Sequence, residues 1–258
     1  MKYYKVLKKL MIILCCTTLL LPAILSAQSP DDIRFMTENY PPFNFQENGK
    51  LKGISVDLID AILKKLKSGQ TKESIQLLPW ARGYKNVLAK KNTCLFATTR
   101  TEEREGKFKW VGPISPTIIS LLARKDKNIK IKSIAEAKKF KIGVAINDIG
   151  EQLLVKEGIK LENLDRTGGT NVLTSSINKL KLKRIDLFAY EENVVKWEIK
   201  KQGLNPEDYE TVYTLKQGEL FYAFHKNTPD SLIRQFQNAL DVLKKEGIYQ
   251  KILDKYLK

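Results

Sequence analysis

The sequence predicts an α/β protein with a mainly parallel sheet. Two observations carry this: short β-type runs alternate with amphipathic helical stretches from residue 33 onward, and no repeat, low-complexity tract or flexible linker breaks the alternation. The strand candidates, in order, are IRFMT, ESIQLL, CLFATT, KIGVAI, RIDLFA and ELFYAFH. Between the first two, GISVDLIDAILKKLK sets Ile54, Leu58, Ala61, Ile62 and Leu66 on one helical face. Ser133 and Glu136 have capping-box spacing before AEAKKF. Thr228 followed by Pro229 starts a long helix that stops near Gly247.

Ahead of the alternating region, MKYYKVLKK carries four lysines and no acid, and an uncharged run of 21 residues follows from Leu10 to Pro30. A basic segment followed by an apolar one reads as a signal peptide over 1–27, with Ser26 and Ala27 as small residues at the cleavage site. An uncleaved membrane anchor is the alternative, because about 20 apolar residues span a bilayer; Thr17, Thr18 and Pro22 count against it. Cys15 and Cys16 lie inside the leader, so the mature chain keeps Cys94 alone and makes no internal disulfide. Cys94 sits in the apolar run CLFA, where burial protects it in an oxidising compartment.

The chain has 45 basic and 29 acidic residues, a net charge of +16, and removal of the leader's four lysines lowers this to +12. The lysines are dispersed, as in KKLK, AKK and KLKLK, rather than gathered in one arm. They read as solvated helix faces, not as a nucleic-acid-binding surface. Chain crossings are expected at GPISPTIISLLARK and at YTLKQGELFYAF. Two crossings make one lobe discontinuous: residues 28–117 with 217–258 form lobe I, and 118–216 form lobe II, inserted into it.

The segments TENYPPFNFQENGKLKGISVDLIDAILKKL, LPWARGYKNVLAKK, TTRTEEREGKFKWVGPI and LKKEGIYQKILDKYL, in this order, resemble the family 3 extracellular solute-binding proteins. These are the amino-acid-binding branch of the type II periplasmic binding proteins. The resemblance extends from Ile33 to Leu257 and implies two α/β lobes of the Venus-flytrap kind, two hinge crossings and a ligand cleft between them. It also implies a monomer in the periplasm that serves an inner-membrane ABC permease and uses no cofactor.

The resemblance implies that Arg104 grips a ligand carboxylate, a task suited to the planar fork of a guanidinium. On composition alone Arg104 is a surface arginine paired with Glu102, Glu103 or Glu105. Backbone groups of Ala97 and Thr98 and the hydroxyl of Thr99 would add hydrogen bonds; otherwise these are ordinary strand-end residues. Glu191 stands where relatives that bind α-amino acids carry an aspartate for the ligand ammonium. Its alternative role is that of a helix-start glutamate favoured by the macrodipole.

Tyr40 and Trp80 stand where family members pack aromatic faces against the ligand. Tyr190 faces either cleft or core. Glu38 and Arg82 are weaker candidates, and Arg82 reads equally as a solvated arginine at a helix start. At IGVAINDIGEQLL, Asp148 departs from a Gly-Thr-rich family turn and can act as an N-cap, which suits a ligand with an additional amine.

Signals for catalysis are thin. His225 is the one histidine, no metal-ligand cluster is evident, and Gly168-Gly169 lacks the strand-to-helix context of a phosphate loop. A periplasmic dehydratase using Glu38, Glu191 or Asp148 and an extracytoplasmic sensor subunit are the competing readings.

Overall fold

The computed structural model describes residues 28–257; the leader, with Cys15 and Cys16, lies outside them. An eight-stranded sheet runs through the molecule in the order β4-β1-β5-β10-β6-β9-β7-β8. Its strands are β1 (Arg34–Thr37), β4 (Gln76–Leu77), β5 (Thr93–Thr99), β6 (Phe108–Arg124), β7 (Ile142–Ala145), β8 (Leu164–Thr167), β9 (Leu187–Glu191) and β10 (Tyr209–His225). A hairpin of β2 (Phe45–Glu47) and β3 (Lys50–Lys52) stands apart from it. The helices are α1 (Ile54–Lys65), α2 (Trp80–Ala89), α3 (Glu102–Glu105), α4 (Ile134–Ala137), α5 (Ile149–Lys156), α6 (Val172–Lys181), α7 (Glu192–Lys201), α8 (Asp230–Lys245) and α9 (Ile248–Leu257).

The outer strands obey the expected parallel rule: β1 pairs parallel with β4 and β5, and β7 with β8 and β9. The centre does not. Strands β6 and β10 are each 17 residues long and pair antiparallel, from Tyr209 opposite Arg124 to His225 opposite Phe108. One end of β10 also pairs with β5, and the far end of β6 with β9. These two strands therefore belong to both halves of a two-lobed fold. Register shifts interrupt β10 between Thr211 and Tyr213, Thr214 and Lys216, and Leu220 and Tyr222. Such shifts bend and twist a strand, which suits a segment that passes between lobes.

Of the expected α1 face, Ile54, Leu58 and Ile62 are fully buried, while Ala61 and Leu66 are half-buried. The helix starts on Gly53, whose φ is +122°, and a Cβ there would stand 2.4 Å from the Phe43 carbonyl oxygen. Only glycine fits so close an approach. Phe35, Phe224 and Phe236 pack edge-on or tilted, with centroids 5.1–6.4 Å apart, at the centre of the first half's core. Cys94 is buried and free, as its apolar run predicts.

Two local expectations are corrected, and the bounds of α8, expected from Pro229 to near Gly247, hold to within two residues. Ser133 precedes α4 but makes no side-chain cap, and Glu136 accepts from the Lys132 N–H rather than that of Ser133. Pro229 is the residue before α8 rather than its first helical residue, and the helix ends at Lys245, two residues short of Gly247 at φ +72°. Gly168 and Gly169 do lie between a strand, β8, and a helix, α6.

Candidate ligand-binding site

Strand β5 is buried at every residue, and Ala97 within it has φ +58°. Phe221 pairs with Thr98 and Ala223 with Leu95, so Phe96 and Ala97 together oppose Tyr222 alone. This is a bulge, and a left-handed alanine costs roughly 1–2 kcal/mol. Backbone strain of this kind concentrates at ligand sites. Beyond the bulge, the Thr98 hydroxyl donates to the Leu95 carbonyl at 3.2 Å, and the Thr99 carbonyl accepts from Arg104 Nη1 at 3.1 Å.

Arg104 is fully buried, so the surface-arginine alternative does not hold. Its acidic neighbours are engaged elsewhere: Glu105 by Arg100 and Glu103 by Lys156. The guanidinium lies over the rings of Trp80 and Tyr84, 5.4 and 5.2 Å from their centroids, in cation–π geometry. Nε donates to Gln152 Oε1 at 3.1 Å, while Nη2 is buried without a partner. Burial pulls the guanidinium's pKa below its ordinary value.

Trp80 stacks on Tyr84 at 5.5 Å, and its Nε1 donates at 2.8 Å to the Asn147 carbonyl just before α5. That carbonyl also accepts from Gln152 Nε2 at 2.9 Å. Asn147 adopts φ +60°, and Asp148 caps α5 by accepting from the Gly150 N–H at 3.4 Å. A Cβ on Gly150 would stand 2.7 Å from the Ala189 carbonyl oxygen, so the start of α5 lies hard against β9.

Glu191 ends β9 and caps α7. Its Oε2 accepts from the Val194 N–H at 2.8 Å; its Oε1 accepts from Asn193 Nδ2 at 3.2 Å and the Ile118 N–H at 3.5 Å. Burial pushes its pKa up to about 7 despite these donors. The helix-start role is thus filled.

Tyr40 packs against Tyr190 at 5.5 Å, and Tyr190 stacks on Phe188 at 5.2 Å with its hydroxyl buried and unpartnered. Glu38 is 5 % exposed. Burial, reinforced by Asp148, pushes its carboxyl well above the ordinary range, and Arg104 offsets part of this. Burial raises Asp148 as well, with Arg104 again opposing.

Arg104, Trp80, Tyr40, Glu38, Asp148 and Glu191 therefore converge in one buried polar cluster at the end of Ala97, Thr98 and Thr99. Arg82 is exposed, on the third residue of α2, and stands outside it. A cleft of about 380 Å³ opens beside the cluster, with Glu38, Asn39 and Pro79 on one wall and Gly169, Thr170 and Asn171 on the other. Its size suits a small organic ligand. Sequence reasoning missed Gln152 and the Gly168-Gly169 turn. Gln152 lies four residues after Asp148, on the same side of α5, which was a usable clue.

Among the described residues no group of three or more His, Cys, Asp or Glu is placed to hold a metal. His225 ends β10, accepts from the Asn227 N–H at 3.1 Å and is 5 % exposed.

A two-lobed mixed sheet, two strands shared by the lobes and a cleft beside a buried polar cluster define a binding protein of the type II periplasmic class. The chain belongs to the bacterial extracellular solute-binding proteins, family 3, which it matches over residues 33–258. It is 26% identical over 226 residues to a probable histidine-binding protein of Campylobacter jejuni subsp. jejuni, covering 84% of this chain and 81% of that one. It is 27% identical over 246 residues to an arginine-binding periplasmic protein of Mannheimia haemolytica, covering 93% and 96%. Among solved structures, an ancestral arginine-binding protein bound to arginine superposes with a TM-score of 0.71 at 26% identity, covering 88% of this chain and 98% of that one.

Proposed function

We propose that this solute-binding protein captures a small zwitterion of the amino-acid class in the periplasm, as an exported monomer, and presents it unchanged to an inner-membrane ABC permease. The observation that carries the reading is the Arg104 guanidinium, fully buried, held from behind by Thr99 and Gln152, with Nη2 left for an acceptor. A desolvated guanidinium binds carboxylate far more strongly than an exposed one. Glu191, on the other half of the sheet, is the carboxylate that would meet the ligand ammonium. Opposite charges on the two sides let a zwitterion favour the closed cleft, which is the differential contact that closure requires. The amino-acid-binding relatives support the same class.

The lobes divide, on this reading, at 117/118 and 216/217, within the paired stretches of β6 and β10. A thermal-shift screen of the purified protein against amino acids, with chromatographic recovery of the ligand, tests the proposal. Stabilisation by at least one amino acid, recovered unaltered, is expected. No stabilisation by any of them contradicts amino-acid capture, and a converted ligand contradicts binding without turnover.

A further inference from the structure

We propose that Glu151 is a positioning residue for the site: from outside the cleft lining it fixes the Asn147 turn, whose carbonyl holds Trp80 and, through Gln152, the Arg104 guanidinium. This rests on the amino-acid reading above and extends it to a group that touches no ligand. Neither Glu151 nor its partner Arg166 is among the residues that line the cleft.

Asn147 lies between β7 and α5 in the left-handed conformation, at φ +60°. Non-glycine residues hold that conformation where their surroundings enforce it. Glu151, the third residue of α5, supplies the enforcement: its Oε1 accepts from the Asn147 N–H at 2.9 Å. On β8, Arg166 donates to the same carboxylate twice, from Nε to Oε2 at 2.6 Å and from Nη2 to Oε1 at 3.2 Å. The Glu151 side chain is only 5 % exposed. A buried carboxylate needs a cation to offset its desolvation, and a forked, bidentate guanidinium meets that need.

With its N–H tied to Glu151, Asn147 presents its carbonyl in one direction. Trp80 Nε1 and Gln152 Nε2 both donate to it, at 2.8 and 2.9 Å, which fills the two lone pairs of a carbonyl. Gln152, oriented by that bond, turns its Oε1 to Arg104 Nε at 3.1 Å. Trp80 and Arg104 follow β4 and β5, in the half of the sheet that holds β1; the turn belongs to the half that holds β7, β8 and β9. One carbonyl thus joins the two halves beside the carboxylate anchor, and Glu151 decides where it points. As a plain helix cap Glu151 would stabilise α5 with or without ligand and leave affinity unchanged. As a positioning residue it acts on affinity through Trp80 and Gln152.

The test is a thermal-shift screen against the twenty standard amino acids, then calorimetric titration with those that stabilise the wild type. Glu151→Ala is expected to weaken binding about tenfold, the scale of the hydrogen bonds lost when one carbonyl is misplaced. Arg166, 35 % exposed along its side chain, can then turn to solvent, and melting curves verify folding. Glu151→Gln keeps an acceptor for the Asn147 N–H and is expected to restore affinity to within about threefold of wild type. In a Trp80→Phe, Gln152→Leu background neither side chain donates to the Asn147 carbonyl, and adding Glu151→Ala should change affinity by less than about twofold. Affinity untouched by Glu151→Ala, no recovery in Glu151→Gln, or equal weakening in both backgrounds overturns the positioning role and leaves amino-acid capture standing. Failure of all twenty to bind the wild type overturns the amino-acid reading and this role with it.

Discussion

Replacing Glu191 by glutamine removes a carboxyl that the fold holds near neutrality, and the consequence is a change in how stability follows pH. Burial raises the Glu191 pKa from its ordinary 4.5 to about 7. Between those values the native ligand-free protein keeps a proton that the unfolded chain has released. Stability from this group is therefore complete below pH ~4.5 and is lost as pH rises through 7. At about 1.4 kcal/mol per pH unit, the loss amounts to about 3 kcal/mol by pH 8. Glu38 and Asp148, also raised by burial, slope the same way. Glu103, lowered to about 2 by its bond to Lys156, slopes the other way, but only below pH ~4. Urea unfolding of wild type and Glu191→Gln at intervals from pH 4.5 to 8 measures the difference, with constant m as the two-state check. The variant pays a pH-independent cost of about 1 kcal/mol for a poorer helix cap. It should gain on wild type by about 3 kcal/mol across the range. Parallel pH profiles would refute the assignment of a buried, near-neutral carboxyl.

Trp80→Phe keeps the aromatic floor under Arg104 and deletes the 2.8 Å bond to the Asn147 carbonyl. Loss of about 1 kcal/mol from the closed cleft should weaken ligand binding about fivefold by calorimetry; unchanged affinity would mean that this bond is not specific to the closed form. Cys94 is fully buried, and burial raises its thiol pKa, so an aromatic disulfide reagent should label it only as fast as the protein unfolds. Rapid labelling of the native protein would contradict the packing around β5.

Strands β1, β5 and β7 and helix α1 were legible because their buried residues leave a short apolar run or a helical periodicity in the sequence, whereas β8, with only Leu164 buried and Arg166 exposed, left no such run. The long central strands were not legible either. In β10 the last six residues, Leu220 to His225, are buried throughout, while the stretch from Glu210 to Glu219 mixes half-buried and exposed residues. ELFYAFH therefore reads as a complete strand, and the rest reads as a turn. RIDLFA begins too early for a related reason: Arg184 and Asp186 serve a turn, with the Lys179 and Lys141 carbonyls accepting their N–H groups before β9 starts at Leu187. The β2–β3 hairpin had its clue in Asn48-Gly49, both at positive φ.

In the site, the resemblance carried by TTRTEEREGKFKWVGPI led to Arg104, and the short helix that follows β5 fixes where its side chain goes. Gln152 and the Asn147 carbonyl reach Arg104 and Trp80 from 48 and 67 residues away in the chain, so only Gln152, four residues after Asp148, left a clue in the sequence. Of its two sequence readings, Glu191 fills the helix-start one by capping α7, while its part in holding a ligand ammonium belongs to the proposed function.

Calorimetric titration of wild type and Arg104→Met with the best-stabilising amino acid tests the central claim most directly. Methionine keeps apolar bulk over Trp80 and Tyr84 while removing the charge that would meet the ligand carboxylate. Loss of a desolvated, charge-assisted pair predicts an affinity lower by about 100-fold or more, with the ligand-free fold intact by circular dichroism. Affinity within about threefold of wild type would contradict the assignment of Arg104 as the carboxylate anchor.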